Sequence, residues 1–280
     1  MRNNQRRTGA PSRRKASPVA PAPATTSNLV YQVPTEFVEL PSRGVFYAED
    51  HPLHNQETVE IKYMTAKEED ILASAALAKK GLVLDRLLEN ILVLDVDPRS
   101  LLLGDRSAIM IAARISGYGN VYETEVKCPF CEAKNNLFFD LSKMTIVDRC
   151  FDTQFMSDNS AEIDQETNLL VVKLPVTEMK VGLRLIDGHS EQEATDISTN
   201  QDSTITTFLS TLIEKVEDTF DRPQIEEFID NMPAKDSKYI RDIYSNLVPN
   251  VQLKENFSCT RCFQKKEMEV PLSADFFWPK

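Results

Sequence analysis

Four of the five cysteines in this chain form two C-x-x-C pairs, Cys128 with Cys131 and Cys259 with Cys262. A two-residue spacer lets both thiolates of a pair converge on one zinc ion at about 2.3 Å, and two such turns complete a tetrahedron. The polypeptide between the pairs runs from 131 to 259, far longer than the connection of roughly 15–20 residues in a compact zinc site. A shared ion would therefore tie together distant parts of the chain.

Similar sequence surrounds the two pairs. Charged and less polar residues alternate over 121–127, just before CPFC, and an apolar segment follows at 137–141. Residues 251–257 lead into CTRC in the same way, and alternation over 266–272 follows. Each copy is predicted to be a hairpin whose turn carries the cysteines. The two copies predict a zinc-ribbon-like β element with a structural zinc on Cys128, Cys131, Cys259 and Cys262.

Other uses of the cysteines stay open. A redox dithiol is disfavoured because neither pair follows a strand at the start of a helix, and a disulfide framework because no apolar signal segment opens the sequence. Four unconnected reduced cysteines are a further possibility. The fifth cysteine, Cys150, has no partner in sequence and is expected to be a small buried apolar residue. A zinc with four thiolates has no position for water, so this site would not hydrolyse a substrate.

The residue pattern of the N-terminal third of the chain predicts a mixture of strands and core helices. Segment 40–47 reads as a strand interrupted by a tight turn, and 59–63 as a half-buried strand. Thr65 and Glu68 form a capping box at the start of a helix. Apolar residues at helical spacing predict helices over 65–81, with Gly81 as the stop, over 84–94, and over 105–117, with Asp105 as N-cap.

Residues 146–249 separate the two cysteine pairs and predict an inserted subdomain. A hairpin is expected around Pro175, and a second capping box at Ser190 with Glu193. Helices are expected at 190–199, 203–216, 223–231 and 236–247. The predicted fold is α+β, organised as a disordered basic arm at 1–28, a strand and helix region at 29–120, the zinc-ribbon-like element at 121–145 and 250–280, and an α+β insertion at 146–249.

Charge is unevenly distributed along the chain. The six cations of residues 1–28 face no acid, so the remainder carries −17, against −11 for the whole chain. An acidic body repels a phosphate backbone, which disfavours nucleic acid as a partner. The basic arm is expected to be disordered, either as a plain solvated terminus or as a tether for an acidic protein surface. No apolar run approaches the roughly 18 residues of a bilayer span, so no membrane contact is expected.

The sequence does not indicate an enzyme. Only three histidines are present, and His51-x-x-His54 lies in a Pro-containing loop, where a solvated surface role is expected rather than a metal site. The segments around Gly104 and around Gly117 and Gly119 lack the Lys-Ser/Thr of a phosphate-binding loop and the strand-turn-helix context of a dinucleotide site. No acidic pair stands out as buried.

Three segments in a fixed order resemble one known family: LPSRGVFY at 40–47, YMTAKEEDILAS at 63–74 followed by KKG, and GDRSAIMIAARISGYG at 104–119 followed by CPFC. They are similar to the baseplate hub subunit family of T-even-type contractile-tailed bacteriophages. The similarity covers about Val38 to Ser142, and CTRC and FFWP fit it more loosely. It implies a non-catalytic component of the tail's central hub, found in the virion and in the host cytoplasm during assembly, with other baseplate and hub proteins as partners.

Two alternatives stay open beside this interpretation. Within the same class, the chain could be an assembly chaperone that is absent from the mature virion. From another class, the C-x-x-C turns and the arginine-rich arm suggest a nucleic-acid-binding zinc-ribbon protein. A ribbon that follows phosphate presents Lys and Arg on its strands, whereas these strands carry Glu123, Glu125, Glu255, Glu267 and Glu269. A metalloenzyme would need an open coordination position, which a four-thiolate set does not offer.

Overall fold

The computed structural model describes residues 32–191, 205–270 and 274–277. The basic arm predicted at 1–28 lies outside this part of the chain, as do Glu193 and most of the helix predicted at 190–199. All the elements below belong to the unit that begins at Val33. Helices and small antiparallel sheets occur throughout it, so the predicted α+β class is confirmed.

The strands of the described residues are β1 (Thr35–Glu39), β2 (Thr58–Lys62), β3 (Val121–Lys127), β4 (Lys134–Asp140), β5 (Thr145–Val147), β6 (Ala161–Asp164), β7 (Leu169–Lys173), β8 (Lys180–Leu183), β9 (Ile213–Val216), β10 (Asn250–Gln252), β11 (Lys254–Ser258) and β12 (Lys265–Glu269). The α-helices are α1 (Ala66–Leu72), α2 (Ala75–Lys80), α3 (Val83–Ile91), α4 (Leu103–Tyr118), α5 (Thr153–Asp158), α6 (Ile205–Leu212), α7 (Arg222–Asp230) and α8 (Ala234–Leu247). Short 3-10 helices occur at Pro98–Ser100, Leu141–Lys143, Arg149–Phe151 and Ala274–Phe277.

The sheets are small and antiparallel. Four of them are two-stranded, pairing β1 with β2, β3 with β4, β5 with β10, and β11 with β12. The fifth has four strands in the order β6-β7-β8-β9. Both predicted cysteine hairpins are therefore confirmed as β3–β4 and β11–β12. The β5–β10 pair joins the residues just after the first hairpin to those just before the second.

The loop that follows β1 differs from the prediction at 40–47. The tight turn is present, but the expected strand is wrong, because the chain from 41 to 46 is a run of turns. Gly44 requires this path: its φ is +73°, and a Cβ there would lie 2.3 Å from the backbone nitrogen of Gln56. The loop is also buried, with Arg43 as its one exposed member from 41 to 47. It belongs to the core of the protein.

The helix predicted over 65–81 is two helices. The capping box is confirmed, since the Thr65 side chain accepts from the backbone of the first turn while Glu68 accepts from the Thr65 N–H. The Gly81 stop is also confirmed, with a φ of 70°. The chain breaks between them because the Ser74 hydroxyl accepts a hydrogen bond from the Leu77 N–H and so starts α2 as a new helix.

The helix α4 begins two residues before the N-cap predicted at Asp105 and continues past the stop predicted at Gly117. Asp105 lies in its first turn, and its buried carboxylate accepts from the Ser42 N–H at 2.9 Å, the Ser42 hydroxyl at 2.5 Å and the Tyr47 hydroxyl at 2.9 Å. Burial raises the pKa of the Asp105 carboxyl. The residue predicted as a cap is therefore the buried anchor of the loop 40–47.

The predicted insertion contains the four-stranded sheet and α5 to α8. The hairpin around Pro175 is confirmed as β7–β8. The helix predicted at 203–216 is wrong over its last four residues, where 213–216 is β9 and pairs with β8. The Ser190 cap is also wrong: a helical turn starts at Gly188, and Asp187 accepts from the Ser190 N–H at 2.8 Å.

Buried apolar side chains form two clusters among the described residues. The larger one extends from Val38 to Phe277 and includes side chains from the strand and helix region, the four-stranded sheet and the C-terminal 3-10 helix. The smaller one surrounds the cysteine pairs and contains Val126, Cys128, Phe257 and Cys259 as its buried members. The cysteine hairpins therefore have a small core of their own.

Candidate metal centre

All four cysteines of the C-x-x-C pairs meet at one point. The first pair occupies the turn between β3 and β4, and the second the turn between β11 and β12. Their four Sγ atoms lie within 4.8 Å of one another. The cysteines thus form a cluster that could bind a metal ion, and the arrangement is compatible with a zinc-ribbon-like element.

The sulfur spacing fits tetrahedral coordination. The Sγ atoms of Cys128 and Cys262 are 3.6 Å apart, as are those of Cys131 and Cys259. Zinc–sulfur bonds of about 2.3 Å in a regular tetrahedron require an edge of roughly 3.8 Å. A disulfide needs about 2.05 Å, and all five cysteines are free thiols.

The two cysteine turns have the same backbone hydrogen bonds. In each, the N–H of the first cysteine donates to the carbonyl five residues later, at 2.9 Å in the first turn and 3.0 Å in the second. The residue after each pair has a positive φ, 57° at Glu132 and 58° at Phe263, and its N–H donates back to the carbonyl of the first cysteine. The sequence duplication thus corresponds to a structural duplication.

Backbone N–H groups also point at the sulfurs. The Phe130 N–H lies 3.4 Å from Cys128 Sγ, and the N–H groups of Arg261 and Cys262 lie 3.4 and 3.5 Å from Cys259 Sγ. The hydrogen bond from Cys262, followed by that from Arg261, lowers the pKa of the Cys259 thiol to about 6. This sulfur is thereby favoured as a thiolate.

The opposite shift occurs at Cys262. The Gln264 N–H lowers its pKa, but burial and the three neighbouring sulfurs outweigh that bond and raise it to about 12. Four thiolates at this spacing repel one another strongly unless a positive ion lies between them. A bound dication supplies that charge, so the cluster is chemically suited to a metal ion.

Asn135, the second residue of β4, links the two turns. Its Oδ1 accepts from both the N–H and the hydroxyl of Thr260, each at 2.8 Å. Its Nδ2 donates to the Ala133 carbonyl at 2.8 Å and approaches Cys259 Sγ at 3.7 Å. Sequence analysis missed this residue. The signal was a polar side chain at the strand position opposite the buried Val126, where an apolar one is expected.

The remaining candidate residues lie outside this centre. Cys150 is buried and is no member of the cluster, and burial raises the pKa of its thiol to about 12. His51 accepts a backbone N–H at Nδ1, 3.1 Å away, so its Nε2 carries the proton toward Ser100 Oγ at 2.9 Å. That serine donates its own proton to a backbone carbonyl, an arrangement opposite to that of an activated nucleophile.

Comparison with known protein families gives a match over most of the chain. Residues 36–278 match the model of the family described as T4 bacteriophage base plate protein. The chain belongs to this family. No curated protein and no solved structure matches it. The matched range includes both cysteine turns, the buried loop at 40–47 and the four-stranded sheet.

Membership of the baseplate family makes the chain a structural component of a phage tail baseplate, with other baseplate proteins as its partners. The family as described is broader than the hub subunit predicted from sequence. Within the described residues, no helix combines the length and the apolar character that a membrane crossing requires.

Proposed function

We propose that this baseplate protein is a non-catalytic structural or assembly component of the central hub, in which a zinc ion on Cys128, Cys131, Cys259 and Cys262 joins two distant hairpins. The observation that carries the proposal is the family match, which covers both cysteine pairs. The narrower hub assignment is supported by the three resembling segments at 40–47, 63–81 and 104–119. The basic arm at 1–28 would engage an acidic neighbour in the assembly.

The contacts of those segments support a structural role. The loop at 40–47 is buried and bound to Asp105 of α4, so two of the three segments contact each other inside the core. These buried contacts account for the residues of both segments without a catalytic role. The Ser100–His51 pair has its protons on the wrong atoms for a nucleophile, and four thiolates fill the coordination sphere of a zinc ion.

The zinc is supported by ligand type and spacing. Four sulfurs favour zinc or an iron–sulfur centre over hard cations such as magnesium or calcium. The organisation we infer is a hairpin pair, 121–145 and 250–280, closed by the ion across an inserted α+β segment at 146–249.

Elemental analysis of the purified full-length chain tests the metal. We expect one zinc per chain, lost in Cys259→Ser and retained in Cys150→Ser, the matched control for removing a buried thiol. Zinc-free protein with an unchanged unfolding temperature would contradict the proposal, and iron in place of zinc would correct it.

Quantitative mass spectrometry of purified virions and baseplates tests the location. Presence in both supports a hub component. Absence from virions, with tails still dependent on the gene, would identify the assembly chaperone instead. A filter-binding salt titration addresses the nucleic-acid alternative: tight, steeply salt-dependent binding that persists without residues 1–28 would favour it over the hub role.

A further inference from the structure

We propose that the turn end of the cysteine hairpins docks onto an acidic surface of another baseplate protein, with Phe130 and Phe263 as its apolar contacts. This end, residues 127–134 and 258–266, is called the hairpin tip below. The proposal rests on the proposed function, because it requires that the chain is built into a baseplate.

The hairpin tip carries two exposed aromatic side chains, one on each cysteine turn. Phe130 lies between the cysteines of the first pair, and Phe263 directly follows the second pair. Convergence of the four sulfurs within 4.8 Å brings both turns to the same end of the hairpins. Phe130 is 56% exposed, and Phe263, at 78%, is the most exposed large apolar side chain among the described residues. Exposed phenylalanines placed together are typical of an interface.

The charge of the hairpin tip is opposite to that of the chain. Its two segments contain five cations, Lys127, Lys134, Arg261, Lys265 and Lys266, and one carboxylate, Glu132. Lys134 pairs with Glu125 at 2.7 Å. The other four cations are exposed and make no ion pair within 4.0 Å of any described carboxylate. The five cations and one carboxylate of the tip sum to +4. A zinc ion with four thiolates carries −2, so the tip stays positive when the ion is bound.

Charge complementarity therefore identifies the occupant. A positive tip with exposed aromatic side chains fits a partner surface that is acidic and has apolar side chains of its own. The chain outside the basic arm has a net charge of −17, so an excess of positive charge at the hairpin tip is suited to a contact rather than to general solubility.

Aromatic and basic side chains together also suit single-stranded nucleic acid. The strands behind the tip argue for a protein instead. Glu125, Glu267 and Glu269 are exposed within a few residues of the cysteine turns and pair with Lys134 or Lys254, so a phosphate backbone passing the tip would have to displace a carboxylate to reach those lysines. A protein surface with a limited acidic patch contacts the tip alone.

Two variants test the tip in phage assembly: Phe263→Asn, because asparagine tolerates the positive φ at this position, and the pair Lys265→Glu with Lys266→Glu. Matched controls are Phe37→Asn, at a side chain 71% exposed on β1, and Lys79→Glu with Lys80→Glu at the exposed end of α2. We expect incorporation into baseplates to fall about tenfold or more for the tip variants and to be unchanged for the controls. Zinc content and unfolding temperature should stay at wild-type values in all four.

A photo-crosslinking residue, p-benzoylphenylalanine, in place of Phe263 identifies the occupant in assembled baseplates. Crosslinks to an acidic segment of another baseplate protein support the proposal. Crosslinks to nucleic acid or to a second copy of this chain, or none at all, would overturn it. Tip variants that assemble normally would also overturn it and leave the proposed function standing. If the wild-type chain is found in neither baseplates nor assembly intermediates, the proposed function fails and the tip proposal fails with it.

Discussion

Replacing Asn135 by alanine should weaken metal binding while the main core stays folded. The side chain is 5% exposed and makes hydrogen bonds to Thr260, on the opposite cysteine turn, through its carbonyl oxygen. Its amide approaches the sulfur of Cys259. Alanine removes all of these contacts but leaves the four sulfurs in place. The variant therefore tests the residue that supports the site without changing any metal ligand.

Two independent estimates give the size of the effect. An intramolecular hydrogen bond contributes about 0.5–1.5 kcal/mol, and the variant loses the two that Asn135 Oδ1 accepts from Thr260. Loss of a group that orients a metal ligand typically lowers metal affinity about 10–100-fold, which corresponds to about 1.4–2.8 kcal/mol. The estimates agree, and we expect zinc affinity to fall by about 10–100-fold.

Competition with a chromophoric zinc chelator measures this loss directly. The control is Asn136→Ala, the next residue on β4, which is exposed and donates to Glu123 at 3.1 Å. Its zinc affinity should equal that of the wild type. Equal affinities for Asn135→Ala and the wild type, or equal losses in both variants, would show that Asn135 does not hold the site.

Three further predictions concern the main core. Asp105→Ala should lower the unfolding free energy by about 3 kcal/mol in urea titrations, because buried donors lose their acceptor, whereas Asp105→Asn should cost less. Burial lowers the pKa of His51 below its usual 6.5, so folding favours the neutral ring: the resulting stability is present above pH 6.5 and lost as pH falls through the folded-state pKa. His51→Asn should flatten that dependence, and equal slopes would refute it. Gly104→Ala should destabilise the protein by about 1–3 kcal/mol, since its Cβ would lie 2.1 Å from the Pro249 carbonyl oxygen. A Cβ at Gly117 would lie closest to the flexible end of Met64, so Gly117→Ala should leave the unfolding temperature nearly unchanged. Thermal unfolding of both variants measures the difference.

Local signals in the sequence predict much of the fold. The capping box at Thr65, the Gly81 stop and the two cysteine hairpins each depend on residues close together in the chain. The four cysteines could be grouped despite their separation because thiolates have a strong common preference for one ion and because the flanking strands are alike.

Tertiary contacts decide the features that the sequence did not predict. Residues 213–216 continue the apolar pattern of α6 but form β9, because pairing with β8 satisfies their backbone. Asp105 has the sequence signature of a helix cap, yet its carboxylate is used by a loop more than sixty positions away. A polar residue at Asn135, opposite the buried Val126, was unusual, but its role in the site depends on Thr260 and Cys259 of the other turn, more than 120 positions away.

The proposed ion and the proposed docking surface depend on each other. Two of the four buried residues in the small cluster are cysteines, so its apolar burial comes mainly from Val126 and Phe257. Two such side chains contribute about 3–6 kcal/mol. In the proposed function the ion joins the two turns, which the buried members of the main cluster do not reach. On the proposed function, removing the zinc should separate the turns that carry Phe130 and Phe263 and abolish docking of the hairpin tip, while the buried loop at 40–47 stays folded.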